Sequence, residues 1–169
     1  MPLPVGGSKT AVIVHSLRTG VAAVSSLLMA RLAHLPEAYW APITTLVITQ
    51  SSLGAALAVS RQRFLGTLLG AALGGLIATY FPPRVWVFGV CVVLLGVLCA
   101  LVRAGQAAYR FGGVALAIVL LVTSTAPAWR IAFDRFASVS IGIVVALLLA
   151  WIWPEPETKG ASYALEKGR

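Results

Sequence analysis

The sequence predicts an all-α membrane protein of six transmembrane helices, arranged as an inverted repeat of three plus three. Three observations carry that reading. Hydrophobic residues fill 59% of the 169 positions and charged residues only 11%, with a mean hydropathy of +0.92. A soluble core of this size could not hide so much apolar surface. Six apolar runs, at about residues 10–33, 39–60, 64–81, 85–102, 111–125 and 136–153, are divided by brief charged or proline-containing breaks, and most approach the length of a bilayer-spanning helix. Finally, residues 63–82 and 135–154 align without a gap at an offset of 72, with six identities in twenty positions (Arg63/Arg135, Phe64/Phe136, Gly70/Gly142, Leu76/Leu148, Ala78/Ala150 and Pro82/Pro154). This composition would give about two by chance, so we read an internal duplication. Each half holds an odd number of spans, so the halves must cross the membrane in opposite senses.

Residues 1–9 are a Pro/Gly-rich lead-in with nothing resembling a removable leader. The first run carries His15, Arg18 and Ser25. The second opens on Tyr39, Trp40 and Pro42 and holds Thr44, Thr45, Thr49, Gln50, Ser51 and Ser52 ahead of Gly54. The third follows Arg61 and Arg63 and repeats Gly66, Gly70, Gly74 and Ala78 every fourth residue, a strip of minimal side chains on which another backbone can approach closely. The fourth has no strongly polar group, as a lipid-facing helix would, and contains both cysteines, Cys91 and Cys99; their spacing suits buried small hydrophobes rather than a metal or redox pair. The fifth is short. The sixth renews the small-residue strip with Ser138, Gly142, Ala146 and Ala150, and Pro154 closes it. Residues 155–169 are a charged tail too short to form a domain.

The net charge of +8 comes from arginines and lysines scattered singly at the ends of apolar runs, which speaks for membrane topology and against nucleic acid. With both termini cytoplasmic, eight basic residues (Lys9, Arg61, Arg63, Arg103, Arg110, Lys159, Lys167, Arg169) lie inside and four (Arg31, Arg84, Arg130, Arg135) outside, Arg18 being within the first helix. Catalysis has no visible foothold. Of the five acidic residues, Glu155, Glu157 and Glu166 are in the tail, and Glu37 and Asp134 fall in outer loops, where Asp134 reads as a surface ion pair with Arg130 and Arg135. No paired carboxylates, phosphate loop, nucleophile elbow or metal cluster occurs, so neither an enzyme nor a cofactor is expected.

The stretch from Tyr39 to Gly75, with Tyr39-Trp40-Ala41, the Thr/Gln/Ser patch, Arg63 and Gly66-Thr67-x-x-Gly70, resembles the FUSC (fusaric acid resistance) or aromatic acid exporter family, which is related to plant aluminium-activated malate transporters. Arg135, Gly142 and the closing Trp153-Pro154 are similar to that family's sixth helix. The resemblance implies a bacterial inner-membrane exporter or channel for organic anions, aromatic or dicarboxylic acids in particular. Many members of that family continue into a large cytosolic helical domain, whereas about fifteen residues follow the last span here.

Three groups of residues could carry such a function. His15, Arg18 and Ser25 fall near one helical face and could line a hydrated path, since a guanidinium inside a span costs several kcal/mol unless paired or hydrated; alternatively Arg18 snorkels to the cytoplasmic headgroups. Thr45, Thr49 and Ser52, with Gln50 and Ser51 beside them, could mark an interrupted helix that offers N–H groups to an anion; alternatively their hydroxyls bond to helix carbonyls. Arg61 and Arg63 would concentrate anions at the inner face, or serve topology by contacting lipid phosphates. His15 is the sole candidate for a buried proton carrier, which favours facilitated passage over coupled pumping. Gly66, Gly70, Gly74, Ala78, Gly142 and Ala146 pack helices so tightly that a homo-oligomer, most simply a homodimer, is expected to form the path at or near its interface. A non-transporting scaffold or anionic-lipid-binding module is the alternative.

Overall fold

Helices form along the apolar runs, but they end where backbone chemistry ends them and not where charge appears. The computed structural model describes residues 9–49, 53–82, 84–122 and 126–153. These form α1 (Lys9–Leu32), α2 (Trp40–Ile48), α3 (Leu53–Tyr80), α4 (Val85–Leu101), α5 (Gln106–Leu121) and α6 (Ala128–Ile152). Among the described residues three helices are long and apolar enough to cross a membrane: α1 over Val12–Leu32, α3 and α6. Helices α4 and α5 are apolar but shorter, and α2, with nine residues, is about 14 Å long, under half a hydrocarbon core of about 30 Å.

The run expected over residues 39–60 is therefore two elements, α2 and the start of α3. Thr44, Thr45 and Thr49 each donate a hydrogen bond to the carbonyl four residues back, at 2.8, 3.0 and 2.7 Å, and Thr49 leaves the helix at ψ 102°. Such back-bonding weakens and bends a helix. Three helices begin earlier than hydropathy suggests, α3 at Leu53 instead of residue 64, α5 at Gln106 instead of 111, and α6 at Ala128 instead of 136, whereas α4 begins at Val85 as expected. Arg61, Arg63, Arg110, Arg130 and Arg135 thus lie within helices rather than ahead of them. Arginine is a good helix former, and hydropathy cannot register which guanidiniums a neighbouring helix will shelter.

Helices α1 and α4 end alike. His34 and Arg103 adopt φ of 55° and 51°, and each is followed by the 6→1 bond of a Schellman cap, Leu35 N–H to Ala30 O at 3.2 Å and Ala104 N–H to Cys99 O at 3.0 Å. Helix α4 is not wholly lipid-facing: Val87, Cys91, Leu95 and Cys99 are buried against α5, where Ala108, Leu116 and Leu120 complete the cluster. Both thiols are free.

Helix α3 is central, packing most extensively on α5 and α6, while α6 packs on α2. The small residues permit this. A β-carbon on Gly66 would collide with the carbonyl oxygen of Ala108, and one on Gly70 with that of Gly112. Gly74 lies against Val119 at 3.1 Å from its position for a β-carbon. Where α6 meets α2, a β-carbon on Gly142 would stand 2.5 Å from Ala41 O and 2.7 Å from Thr44 Cβ, and the Ser138 hydroxyl faces Glu37 O at 3.5 Å. Ala146 joins Ile48, Ala56 and Val139 in a small core there.

These crossings correspond in pairs. Gly66 on Ala108 matches Ser138 on Glu37, and Gly70 on Gly112 matches Gly142 on Ala41; the offset is 72 from α3 to α6 and 71 from α2 to α5 (37 to 108, 41 to 112). Exchanging α1 with α4, α2 with α5 and α3 with α6 also maps the set of packed helix pairs onto itself.

Candidate functional site

Residues of α2, α3, α5 and α6 line a partly open cavity of about 210 Å³ whose lining includes Trp40, Arg63, Thr67, Phe111 and Arg135. Ile43, Val114 and Val139 supply most of the remaining wall. Both guanidiniums are withdrawn from the surface, Arg63 being 6% and Arg135 2% exposed. The close packing of the glycine crossings sets their positions: Gly112, on which Gly70 rests, directly follows Phe111, and Ala41, on which Gly142 rests, directly follows Trp40. Arg63 Cζ lies 4.7 Å from the centroid of the Phe111 ring, and Arg135 Cζ lies 3.2 Å from that of Trp40. Arg63 Nε donates to Thr44 Oγ1 at 3.2 Å, and that hydroxyl donates in turn to Trp40 O at 2.8 Å. Arg135 Nε and Nη1 and the Trp40 indole Nε1 are buried without an acceptor.

The direct contacts of the two cations are thus two rings and one hydroxyl, and the Glu37 carboxylate acts on Arg135 through charge. A desolvated guanidinium on an aromatic face gains about 2 kcal/mol, less than burial of a charge usually costs without a counter-ion. Two such charges on one small cavity make a positive potential that draws anions and repels cations.

A family model described as "Fusaric acid resistance protein-like" matches residues 22–149, which hold Trp40, Thr44, Arg63, Phe111 and Arg135. The chain belongs to this family. Among the curated relatives that it resembles are three from Escherichia coli K12: the inner membrane protein YccS is 24% identical over 94% of this chain and 22% of that protein. The inner membrane protein YeeA is 29% identical over 85% of the chain and 41% of its own length, and the uncharacterized transporter YdhK is 28% identical over 83% and 22%. The chain therefore spans between about a fifth and two-fifths of the length of these relatives. No solved structure matches it.

In this member of the fusaric acid resistance protein-like family, the residues singled out from sequence have different fates. Arg63 lines the cavity, whereas Arg61, two positions away on the same helix, is exposed. Arg135, expected in a surface ion pair with Asp134, is instead buried, because α6 begins early enough to carry it beneath Trp40. Its alignment with Arg63 at an offset of 72 was the signal available for it. Thr45 and Thr49 are buried with their hydroxyls engaged by helix carbonyls, Thr45 sharing its proton between Ala41 O and Gly142 O, and neither lines the cavity. Thr44, one position away from them, is the hydroxyl that meets an arginine. Gln50, Ser51 and Ser52 lie outside the described residues. In α1, Arg18 is only 3% exposed and His15 and Ser25 are half-buried; this face does not contribute to the cavity.

Proposed function

We propose that this chain forms a membrane transport domain through which small organic anions, aromatic or dicarboxylic acids, leave the cell by way of the Arg63–Arg135 cavity. The observation that carries the reading is a pair of buried guanidiniums lining one cavity, each against an aromatic ring. The Glu37 carboxylate acts by charge on Arg135, but with two positive charges to its one the pair stays net positive. A dry cavity of about 150 Å³ holds a benzene ring, so about 210 Å³ suffices for a ring bearing one carboxylate. The apolar wall suits such a body and the arginines suit its charge. Family membership and the name of the relative YdhK, an uncharacterized transporter, support transport as the broader activity.

The paired crossings support an inverted repeat in which α1–α3 and α4–α6 are related by a two-fold axis in the membrane plane, with the cavity near that axis and hence near the bilayer midplane. With Arg63 and Arg135 buried and left out, the tally of basic residues toward each side is seven inside (eight less Arg63) against three outside (four less Arg135), which supports cytoplasmic termini. A homodimer would place two such cavities side by side. The test is flux from liposomes loaded with benzoate, malate or chloride. Saturable, selective release supports the proposal, and absence of flux for all three makes the chain a scaffold.

A further inference from the structure

The two halves of the site are not equivalent in their hydrogen bonding, and the difference falls on one residue pair. Arg63 takes its ring from α5 (Phe111) and its hydroxyl from α2 (Thr44), whereas Arg135 takes its ring from α2 (Trp40). The offset that matches Trp40 with Phe111 and Ala41 with Gly112 matches Thr44 with Ala115. Both residues are fully buried. Where the first half supplies a hydroxyl that accepts from Arg63, the second supplies a methyl group that accepts nothing. Arg135 Nε and Nη1 have no acceptor, and the Trp40 indole N–H against which it lies has none either. Buried N–H groups are seldom left so, and an orphaned donor on a charged group costs more than a neutral one.

From these contacts we infer that Arg135 and Trp40 form the seat for the anion's carboxylate, and that Ala115 keeps this seat free by offering no competing acceptor. Arg63, engaged by Thr44, is a positioning residue that adds positive charge. The apolar body of the ligand then lies toward Phe111 and Val114. This inference rests on the anion-passage reading and goes beyond it by assigning unequal roles to two matched arginines. The ligand class it specifies is a small monocarboxylate with an apolar body, held through one head group.

Benzoate binding to the detergent-purified chain, measured by calorimetry, tests it with two single-site variants. Ala115→Ser adds one oxygen able to bond back to Phe111 O and accept from Arg135, as Thr44 does for Arg63. It should weaken benzoate binding about tenfold, in line with one lost hydrogen bond to a charged group, while the melting temperature stays level or rises. Thr44→Val releases Arg63 Nε, and any change it makes in benzoate affinity should be smaller than that made by Ala115→Ser. Nitrogen-15 resonances of the arginine Nε–H groups, assigned through Arg63→Lys, should show Arg135 shifting on benzoate addition and Arg63 nearly still. The assignment is overturned if Thr44→Val weakens binding tenfold while Ala115→Ser leaves it unchanged, or if the Arg63 resonance is the one that moves. Saturable benzoate binding in the parent with that reversed pattern would refute only the assignment; no benzoate binding by the parent would refute the anion site itself, and the assignment with it.

Discussion

Replacing Gly70 by alanine adds a single methyl group, and its effect on stability should have the opposite sign from the same change at Gly89. In a helix the substitution gains up to about 1 kcal/mol of intrinsic propensity. At Gly89 nothing lies within 4 Å of the added carbon, so that gain should be kept. At Gly70 the carbon meets the backbone of Gly112, overlapping its carbonyl oxygen and standing 2.7 Å from its carbonyl carbon and 2.8 Å from its Cα. Backbone cannot rotate away as a side chain can. To restore contact distances of about 3.5 Å, α3 and α5 must part by roughly 1 Å, which loosens the neighbouring contacts of Gly66 and Gly74. Overpacking of this kind costs about 1–3 kcal/mol, so Gly70→Ala should be destabilising by about 1–2 kcal/mol net and Gly70→Leu by more. Because Phe111 adjoins Gly112, the shift should also lower anion flux. Thermal unfolding in detergent, followed by loss of the monodisperse peak on size exclusion, gives the comparison. Equal midpoints for Gly70→Ala and Gly89→Ala would refute the close α3–α5 crossing and the placement of Phe111 that depends on it.

Other changes address the site itself. Trp40→Leu removes the ring beneath Arg135 and should raise the KM for benzoate flux by about 30-fold, the equivalent of about 2 kcal/mol of desolvated cation–π contact; an unchanged KM would mean the ring does not hold the guanidinium. Arg61→Gln, at an exposed position, should slow benzoate efflux at about 20 mM salt and have little effect at about 500 mM, as expected of long-range steering; an equal loss at both would assign Arg61 to topology. Thr67→Val, on the cavity wall with no charge altered, should change benzoate flux less than twofold in the same assay.

Much of the architecture was legible in the sequence because it is written in size and spacing. The four-residue recurrence of Gly66, Gly70 and Gly74 identifies a face for close approach, and the 72-residue alignment of Arg63 with Arg135 marks two positions that do meet one cavity. Helix boundaries were less legible. Hydropathy halts at an arginine, yet Arg63 and Arg135 lie well inside α3 and α6, sheltered by Phe111 and Trp40 from helices distant in the chain. The threonine patch shows the same limit at finer scale. Spacing along α2 cannot say which hydroxyl turns toward a guanidinium, and the answer, Thr44 rather than Thr45 or Thr49, depends on where α3 passes. The contrast between Thr44 and Ala115 becomes meaningful only once the crossings fix an offset of 71 between α2 and α5.

The most direct measurement is saturable benzoate efflux from liposomes containing equal amounts of folded parent, Arg61→Gln, Arg63→Gln and Arg135→Gln proteins, compared at high salt where steering is screened. A paired-guanidinium passage predicts that parent and Arg61→Gln transport alike while Arg135→Gln loses nearly all flux and Arg63→Gln a large part of it. Undiminished flux in Arg135→Gln, with the protein monodisperse and correctly inserted, would contradict the account.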